Sequence, residues 1–242
     1  MKLRVIDQEC VRALLPMERC IELMGQAFRA EAEGRAVQPL RQVLPLPDGR
    51  GALGMMPGIL AAPALLGIKV VSVFPGNFGT EFGSHQGPVL LFDTTNGRLL
   101  AMIDARAITA IRTAAASAAA TDALARSDAS SLGLFGYGEQ AREHADAISR
   151  VRSIRSIVVW GRDSEKARTF AQALGAHARA VDTPEAAAKG RHPLSHDGSF
   201  RPLLPGRLAA RGPASQPRRL QHPEYGGGGF GDPRPIAGVR RL

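Results

Sequence analysis

The sequence has few cysteines, few aromatic residues and no long apolar run. Its only cysteines, Cys10 and Cys20, make neither a disulfide framework nor a metal-ligand set, which is typical of a reducing compartment. No stretch of about 18 apolar residues exists, so we expect no membrane span. The charged residues 1–9 lack the apolar core of a signal peptide. We expect a cytoplasmic globular protein whose 242 residues form one large or two small domains.

Lysine is also scarce, with four residues against 27 arginines, and the charge is unevenly distributed. Residues 1–190 carry 22 basic and 19 acidic side chains, whereas residues 191–242 carry nine arginines and three acids. The net charge of +9 therefore comes mainly from the last 52 residues. No aromatic interleaving or recognition motif accompanies these arginines, so we do not predict nucleic-acid binding.

The first half of the chain combines one amphipathic helix with several short apolar runs. Apolar side chains recur at helical spacing in residues 16–34, between Pro16 and Gly34, and predict a helix. The dipeptide Asn96-Gly97 indicates a hairpin turn. Together these patterns predict an antiparallel or mixed sheet, whose strands fall in residues 42–46, 52–56, 67–74, 89–92 and 99–103.

The next part of the chain alternates strands and helices. Asp104 is placed to cap an alanine-rich helix that ends near Ala125. The pattern then predicts a strand, a turn, a helix, a second strand and a second helix, in residues 131–135, 136–140, 141–151, 154–160 and 164–174. This β-α-β-α order predicts an α/β fold with a parallel, doubly wound sheet.

The turn after the first of these strands has the pattern GxGxxA, with Gly136, Gly138 and Ala141 at the small positions. The first glycine permits a tight turn, the second lets the backbone approach a pyrophosphate, and the third position lets helix pack on strand. Because the turn stands between an apolar strand and a helix, it favours a dinucleotide site over a bare structural turn.

The second strand ends in Gly161, Arg162 and Asp163, where an adenosine ribose is expected to lie. A carboxylate at the strand end would select a free 2′-hydroxyl, whereas an arginine can pair with a 2′-phosphate. Gly161 replaces the usual acid, which slightly favours NADP over NAD. The alternative is a solvated arginine beside a helix cap.

Two isolated cations are the other candidate functional residues. Lys69 stands alone among apolar residues 66–74, where it points either into a pocket or at a sheet edge. Arg112 lies among small residues of the alanine-rich helix, near Thr109 and Thr113, and could grip a carboxylate unless it occupies a solvated face. The small neighbours favour burial.

These features together resemble the ornithine cyclodeaminase and mu-crystallin family over residues 1 to about 190. The resemblance rests on ordered motifs: residues 67–71 (GIKVV), 74–77 (FPGN), 84–87 (SHQG), 90–93 (LLFD), 110–115 (AIRTAA) and the GxGxxA turn. It implies a homodimer in which a substrate and dimerisation domain accompanies a Rossmann domain. We therefore assign residues 1–125 to the former, residues 126–190 to a partial Rossmann domain and residues 191–242 to a tail foreign to the family.

The resemblance also implies an NAD(P)-dependent enzyme that moves a hydride between nicotinamide and the Cα of an amino or cyclic imino acid. Arg41, Lys69 and Arg112 would surround the substrate carboxylate, with Lys69 and Arg112 catalytic. The residues implied to hold the cofactor are Ser84, His85, Arg112, Thr113, Gly136, Tyr137, Gly138, Glu139, Gln140, Gly161, Arg162 and Asp163. No metal is expected.

The family contains both ornithine cyclodeaminases and reductases of cyclic imino acids such as pyrroline-2-carboxylate. Residues 52–57 contain no acid, whereas ornithine-using members tend to have one in the matching stretch, so a reductase is favoured. The alternative is a nicotinamide-dependent ligand-binding protein of the mu-crystallin type.

The tail after Gly190 suggests a shifted reading frame. Permitted codons for residues 215–232, read from their second base, encode LNLVGSSIPNTAEVDSE, which resembles a family segment expected there. The same offset at residues 190–192 gives Ala-Asp-Ile, the usual start of the next Rossmann strand. The alternative is a disordered basic tail. We expect the fold to be incomplete after Gly190 and to lack the family's catalytic aspartate, a loss that could leave this chain inactive.

Overall fold

A computed structural model describes residues 3–77, 80–188 and 193–195, the last three by their backbone alone, and these residues form two β-sheets with six helices. The first sheet comes from the first half of the chain. Its strands are β1 (Arg4–Ile6), β2 (Ala36–Val37), β3 (Gln42–Pro45), β4 (Ala52–Leu60), β5 (Leu65–Val73), β6 (His85–Gln86), β7 (Pro88–Phe92) and β8 (Leu99–Asp104).

This sheet is mixed, as the sequence predicts. The order is β1-β8-β7-β5-β4-β2, while β3 pairs with β4 and β6 with β5. Within this sheet, among its described strands, only the pair of β1 and β8 is parallel. The Asn96-Gly97 turn joins antiparallel β7 and β8, with Gly97 at a φ of 73°. Strand β5 lies between β4 and β7, so the edge-strand alternative for Lys69 is wrong.

One face of the first sheet packs toward the helices and the other remains open. Val71 and Ala101 are buried on the inner face. The register places Met102, Leu90 and Ile68 in one row on the opposite face. Exposed apolar side chains continue along that outer face: Val5, Val37, Leu44, Ile59 and Met102.

Helices α1 (Gln8–Leu14) and α2 (Met17–Ala32) follow β1. Pro16 immediately precedes α2, in agreement with the predicted start. Met17 is buried, but Phe28 is 45% exposed and Ala32 is exposed, so the predicted apolar face is only partly correct. The buried positions Cys20 and Ala30 show that the contact face turns away from Phe28 along the helix.

Helix α3 (Ala105–Leu124) is the central helix of the structure. Asp104 caps it as predicted, with Oδ1 accepting a hydrogen bond of 2.7 Å from the Ala107 N–H. It packs against α2 on one side and against α4 (Glu139–Val151) on the other. Fully buried Ala114, Ala115 and Ala118 let these helices approach closely.

The second sheet is parallel and has the order β11-β10-β9-β12. Its elements are β9 (Ser131–Phe135), β10 (Ser156–Trp160), α5 (Ser164–Leu174), β11 (Ala178–Ala180), α6 (Pro184–Ala188) and β12 (Pro193–Ser195). Leu132, Leu134 and Val159 are fully buried against α4 and α5. This order matches a doubly wound sheet and confirms the Rossmann-type prediction.

Within the predicted tail, the structure describes one short strand. Pro193–Ser195 pairs with Gly133–Phe135 in parallel, on the opposite side of β9 from β10. The remaining predictions for residues 196–242 lie outside the described residues. Among the helices that the structure describes, none is long and apolar enough to cross a membrane.

Candidate active site

Lys69 projects from the inner face of the first sheet toward α3. Its Nζ donates a hydrogen bond of 3.3 Å to Thr109 Oγ1, and its side chain is half-buried. Burial, followed by the positive charges of Arg112 and Arg41, lowers the pKa of Lys69 to about 8. The ammonium therefore lies in a partly dry, positively charged environment.

Arg112 and Arg41 complete a cluster of three cations. Arg112 is half-buried on α3, whereas Arg41 is exposed in the segment before β3. Burial and then the charge of Arg41 lower the pKa of Arg112, while Cys20 acts in the opposite direction. Over the described part of the chain, none of the three forms an ion pair with a carboxylate. Such a cluster is suited to an external anion.

Thr109 connects this cluster to helix α4, which packs against the second sheet. Its hydroxyl accepts from Lys69, and its carbonyl oxygen accepts a hydrogen bond of 3.4 Å from Gln140 Nε2 on α4. Two buried oxygens, Thr113 Oγ1 one helical turn after Thr109 and Gln140 Oε1 on the same amide that contacts Thr109, have no hydrogen-bond partner among the described residues. Because unpaired buried polar atoms are rare in proteins, these two atoms indicate a ligand or water position.

The segment that contains Ser84 and His85 borders the same region. Ser84 Oγ lies 3.0 Å from His85 Nδ1, and burial followed by the charge of Lys69 lowers the pKa of His85. Gly87 has a φ of 148°, and a Cβ there would lie 2.1 Å from the Val70 carbonyl oxygen. Only glycine therefore lets this segment run so close to β5.

The dinucleotide-type turn has the geometry that its sequence predicts. Gly136 adopts a φ of 125°, and its N–H donates a hydrogen bond of 2.8 Å to the Trp160 carbonyl. A Cβ at Gly138 would meet no atom within 4 Å, so open space faces the start of α4. Ala141 is fully buried between helix and strand. These features fit a diphosphate at the N-terminus of α4.

Glu139, the first residue of α4, is held by two arginines. Its carboxylate accepts from Arg12 at 3.0 Å and from Arg106 at 3.2 Å, so α1 and α3 are both tied to the turn. Arg12 also pairs with Glu143 at 2.8 Å. The sequence analysis missed Arg12 and Arg106, because they lie 127 and 33 residues from Glu139 and no local pattern signals such a contact.

At the end of β10, Tyr137 lies beside Gly161, which Arg162 and Asp163 follow in the chain. The Tyr137 ring covers Gly161, because a Cβ at Gly161 would lie 2.3 Å from Tyr137 Cε1. Asp163 caps α5 by accepting a hydrogen bond of 3.1 Å from the Lys166 N–H, which lowers the pKa of Asp163. Arg162 is exposed.

The structure thus places Lys69, Thr109, Arg112 and Gln140 around one region, with the dinucleotide-type turn beside it. Thr109 contacts both Lys69 in the cation cluster and Gln140 beside the turn. Its position three and four residues before Arg112 and Thr113 puts the three on neighbouring turns of one helix, and this spacing is the sequence signal that identifies Thr109. Across the described residues, no group of three His, Cys, Asp or Glu side chains could hold a metal ion.

Sequence comparison finds known proteins that are similar to this chain. A model of the ornithine cyclodeaminase/mu-crystallin family matches residues 2–192. The ketimine reductase mu-crystallin of Mus musculus is 38% identical over 163 residues, which are 67% of this chain and 52% of the relative. A Delta(1)-pyrroline-2-carboxylate reductase of Bacillus cereus is 35% identical over 168 residues, 69% of this chain and 52% of that protein.

Solved structures show the same similarity. The Delta(1)-pyrroline-2-carboxylate reductase of Thermococcus litoralis, solved with NADH and L-proline, has a TM-score of 0.79 and 30% identity, covering 85% of this chain and 65% of that one. A probable ornithine cyclodeaminase of Bordetella pertussis has a TM-score of 0.75 and 28% identity, covering 86% and 64%. The chain spans about half the length of the curated relatives that it matches.

Proposed function

Because the chain belongs to the ornithine cyclodeaminase/mu-crystallin family, we propose that it carries the substrate-carboxylate and cofactor sites of an NAD(P)-dependent enzyme of amino or imino acid metabolism. The observation that carries this proposal is the cation cluster of Arg41, Lys69 and Arg112, which has no carboxylate partner among the described residues. Thr109 links this cluster to the turn in which a dinucleotide would be bound.

The cluster would bind and orient the substrate through its carboxylate. Paired contacts from Arg112 and Lys69 would fix the Cα of the substrate toward the turn that begins at Gly136. When bound, a nicotinamide cofactor would supply or accept the hydride at that carbon. Its diphosphate would lie over Gly138, beside Gln140, while Ser84, His85 and Thr113 would line the reactive end. With a pKa of about 8, Lys69 could hold the proton that the imine nitrogen gains on reduction.

Reduction of a cyclic imino acid is favoured over deamination of ornithine. The inner face of β4 places Met56 opposite Lys69 in the register, and residues 52–57 contain no acid that could bind a second substrate amine. Two relatives whose names are reductases, of ketimines and of pyrroline-2-carboxylate, support the same choice.

We also propose that the protein forms a homodimer through the outer face of the first sheet. This face exposes Val37, Leu44 and Ile59, with exposed fractions of 56%, 62% and 50%. Contiguous apolar surface of this kind usually marks an interface, and a second copy of the same sheet would cover it.

The experiment measures binding and turnover separately. The 242-residue chain is titrated with NADPH and NADH, and pyrroline-2-carboxylate reduction and ornithine deamination are assayed in this chain and in a frame-restored protein. We expect cofactor binding, together with imine reduction in at least the restored protein. Binding of cofactor without turnover in both would favour the ligand-binding alternative. Absence of both binding and turnover would overturn the proposal.

A further inference from the structure

The first residue of α4 carries a negative charge at the position where the cofactor diphosphate would lie. Glu139 directly follows Gly138, which has no side chain to cap the helix, and the Glu139 side chain is 35% exposed. The N–H groups in the first turn of a helix have no intrahelical partner and attract anions. The Glu139 carboxylate would therefore repel a diphosphate here and, if it were free, could itself turn toward these N–H groups.

Both oxygens of this carboxylate are engaged by arginines. Glu139 Oε1 accepts a hydrogen bond of 3.0 Å from Arg12 Nη2, and Oε2 accepts one of 3.2 Å from Arg106 Nε. The carboxylate cannot turn toward its own helix without breaking at least one of these charge-assisted hydrogen bonds. The two positive charges also offset the negative charge that Glu139 brings to the turn.

The two arginines come from different helices and differ in their other contacts. Arg12 on α1 also donates to Glu143 at 2.8 Å, one turn further along α4. Two like charges four residues apart destabilise a helix, so Arg12 offsets the repulsion between Glu139 and Glu143 as well. Arg106 lies in the first turn of α3, and among the described residues its one carboxylate partner is Glu139. Arg106 therefore reports on Glu139 alone.

Helices α3 and α4 present their N-termini to the same side. The contacts between them advance along both helices in the same direction, from Thr109 with Gln140 to Ser117 with His144. The positive ends of two helix dipoles therefore lie near each other, and both favour an anion. The Glu139 carboxylate is the negative charge that opposes this field at the first residue of α4.

We propose that Arg12 and Arg106 are positioning residues that hold Glu139 away from the N-terminus of α4, so that a dinucleotide diphosphate, and not Glu139, occupies the N–H groups of the first turn. This inference rests on the proposed cofactor site and deepens it, because it names residues that keep the site open. It gives Glu139 the opposite role to that of a residue that binds the cofactor. Released, Glu139 competes with the diphosphate; held, it does not.

The test separates the arginines from the carboxylate that they hold. Dissociation constants are measured by calorimetry for NADH or NADPH, whichever the unmodified 242-residue chain binds more tightly. The variants are Arg12→Ala with Arg106→Ala, Glu139→Gln, and the three changes together. We expect loss of both arginines to weaken binding by about tenfold or more, because Glu139 is released. Glu139→Gln should bind at least as tightly as the unmodified chain, and the triple variant should return to within about threefold of it.

A purely structural tie between the helices predicts a different pattern. Glu139→Gln removes the charge of the shared partner of both arginines, so a structural role would make this variant weaken binding as the loss of the arginines does. Arg106→Ala alone leaves the contact between Arg12 and Glu143 intact and should weaken binding by a smaller factor, again only while Glu139 is present. Thermal midpoints without cofactor identify any variant that fails to fold.

Arg150→Ala is the matched control. This arginine lies in the last turn of α4, joins that helix to α2 through Glu18, and pairs with Asp146 at 3.0 Å. Its loss should leave the dissociation constant unchanged. The inference is overturned if Glu139→Gln weakens binding, or if the triple variant binds as weakly as the chain that lacks only the arginines. If the unmodified chain binds neither cofactor, the proposed cofactor site itself fails, and this inference fails with it.

Discussion

Lys69 loses water in the interior of the sheet and gains one hydroxyl partner, Thr109, rather than a carboxylate. An ammonium in that position is destabilised, which is why its pKa falls to about 8. A bound carboxylate would reverse this effect by favouring the charged form. The positive charges of Arg112 and Arg41, which together with burial lower the pKa of Lys69, thus favour the binding of an anion at this site.

We predict that charge at Lys69 controls turnover in the frame-restored protein. Lys69→Ala and Arg112→Ala should each lower kcat/KM for pyrroline-2-carboxylate by on the order of a hundredfold, because a charge-assisted contact is lost. In the frame-restored protein that retains Lys69, kcat/KM should fall as the pH rises through about 8, since Lys69 then loses its proton.

Lys69→Arg provides the control for this prediction, because arginine stays protonated throughout the accessible range. In the Lys69→Arg variant the decline of kcat/KM near pH 8 should disappear, even if the absolute rate is lower. Near-normal kcat/KM for Arg112→Ala on every substrate that is turned over would show that the carboxylate clamp lies elsewhere.

At the scale of elements, the C-terminus of α3 depends on a single residue that follows α4. The Arg152 guanidinium is 9% exposed and donates to the carbonyls of Thr121, Asp122 and Ala125 at 2.8–3.0 Å. It also donates to the Asp122 carboxylate at 2.7 Å. The Thr121 carbonyl also accepts from the Ala125 N–H, whereas the Asp122 and Ala125 carbonyls lie at the helix end, where such groups lack intrahelical partners.

Arg152→Ala should therefore lower the free energy of unfolding by about 2–3 kcal/mol, because several helix-end carbonyls lose a charged donor. The measurement is the midpoint of urea unfolding. Arg155→Ala is the matched control: this arginine is exposed, with one contact of 3.5 Å to Ser130 Oγ, and its loss should cost less than about 0.5 kcal/mol. Equal effects of the two changes would contradict the assignment.

A buried histidine joins α3 to α4. His144 Nδ1 donates to the Gln140 carbonyl oxygen at 2.7 Å, and Nε2 lies 3.0 Å from Ser117 Oγ. Burial is the largest influence on its pKa and lowers it below the ordinary value of 6.5. The folded protein thus favours the neutral ring, so that below about pH 6.5 the unfolded chain binds a proton that the folded chain does not.

The contribution of His144 to the free energy of unfolding should be fully present above about pH 6.5. It should decrease as the pH falls through the pKa that His144 has in the folded protein. The unfolding free energy of the unmodified chain should fall more between pH 7.5 and 5.5 than that of His144→Gln. His177→Gln, at an exposed site, should keep the full decrease. An identical decrease in all three proteins would contradict the role of His144.

Local sequence patterns located the longer elements but not the contacts between them. Helix α3 and strands β9 and β10 were predictable because capping, small residues and apolar runs act over a few neighbouring positions. Strand β6 has two residues and α1 seven, which is too short for a period to be visible. The anchoring of Glu139 by Arg12 and Arg106 depends on how the helices meet, which local spacing does not encode.

At the scale of the whole molecule, the proposed homodimer should depend on the outer face of the first sheet. Met102→Asp and Ile59→Asp should each convert a dimer to a monomer in sedimentation experiments, because a carboxylate would be buried without a partner. Phe28→Asp alters a similarly exposed apolar residue on α2, away from that face, and should leave the dimer intact. Dimers in all three variants would place the interface elsewhere.

The final prediction concerns the reading frame after Gly190. The family match ends at residue 192, close to the point where the charge and the proline and glycine content change. In the part of the chain that the structure describes, β9 pairs on that side with the three residues Pro193–Ser195. We expect the coding DNA to hold one inserted base or two lost bases near codon 190, followed by family-like sequence in the shifted frame. Sequencing the DNA across codons 185–195 and downstream tests this directly. An uninterrupted frame, with no peptide resembling the family in either alternative frame, would show that the basic tail is genuine.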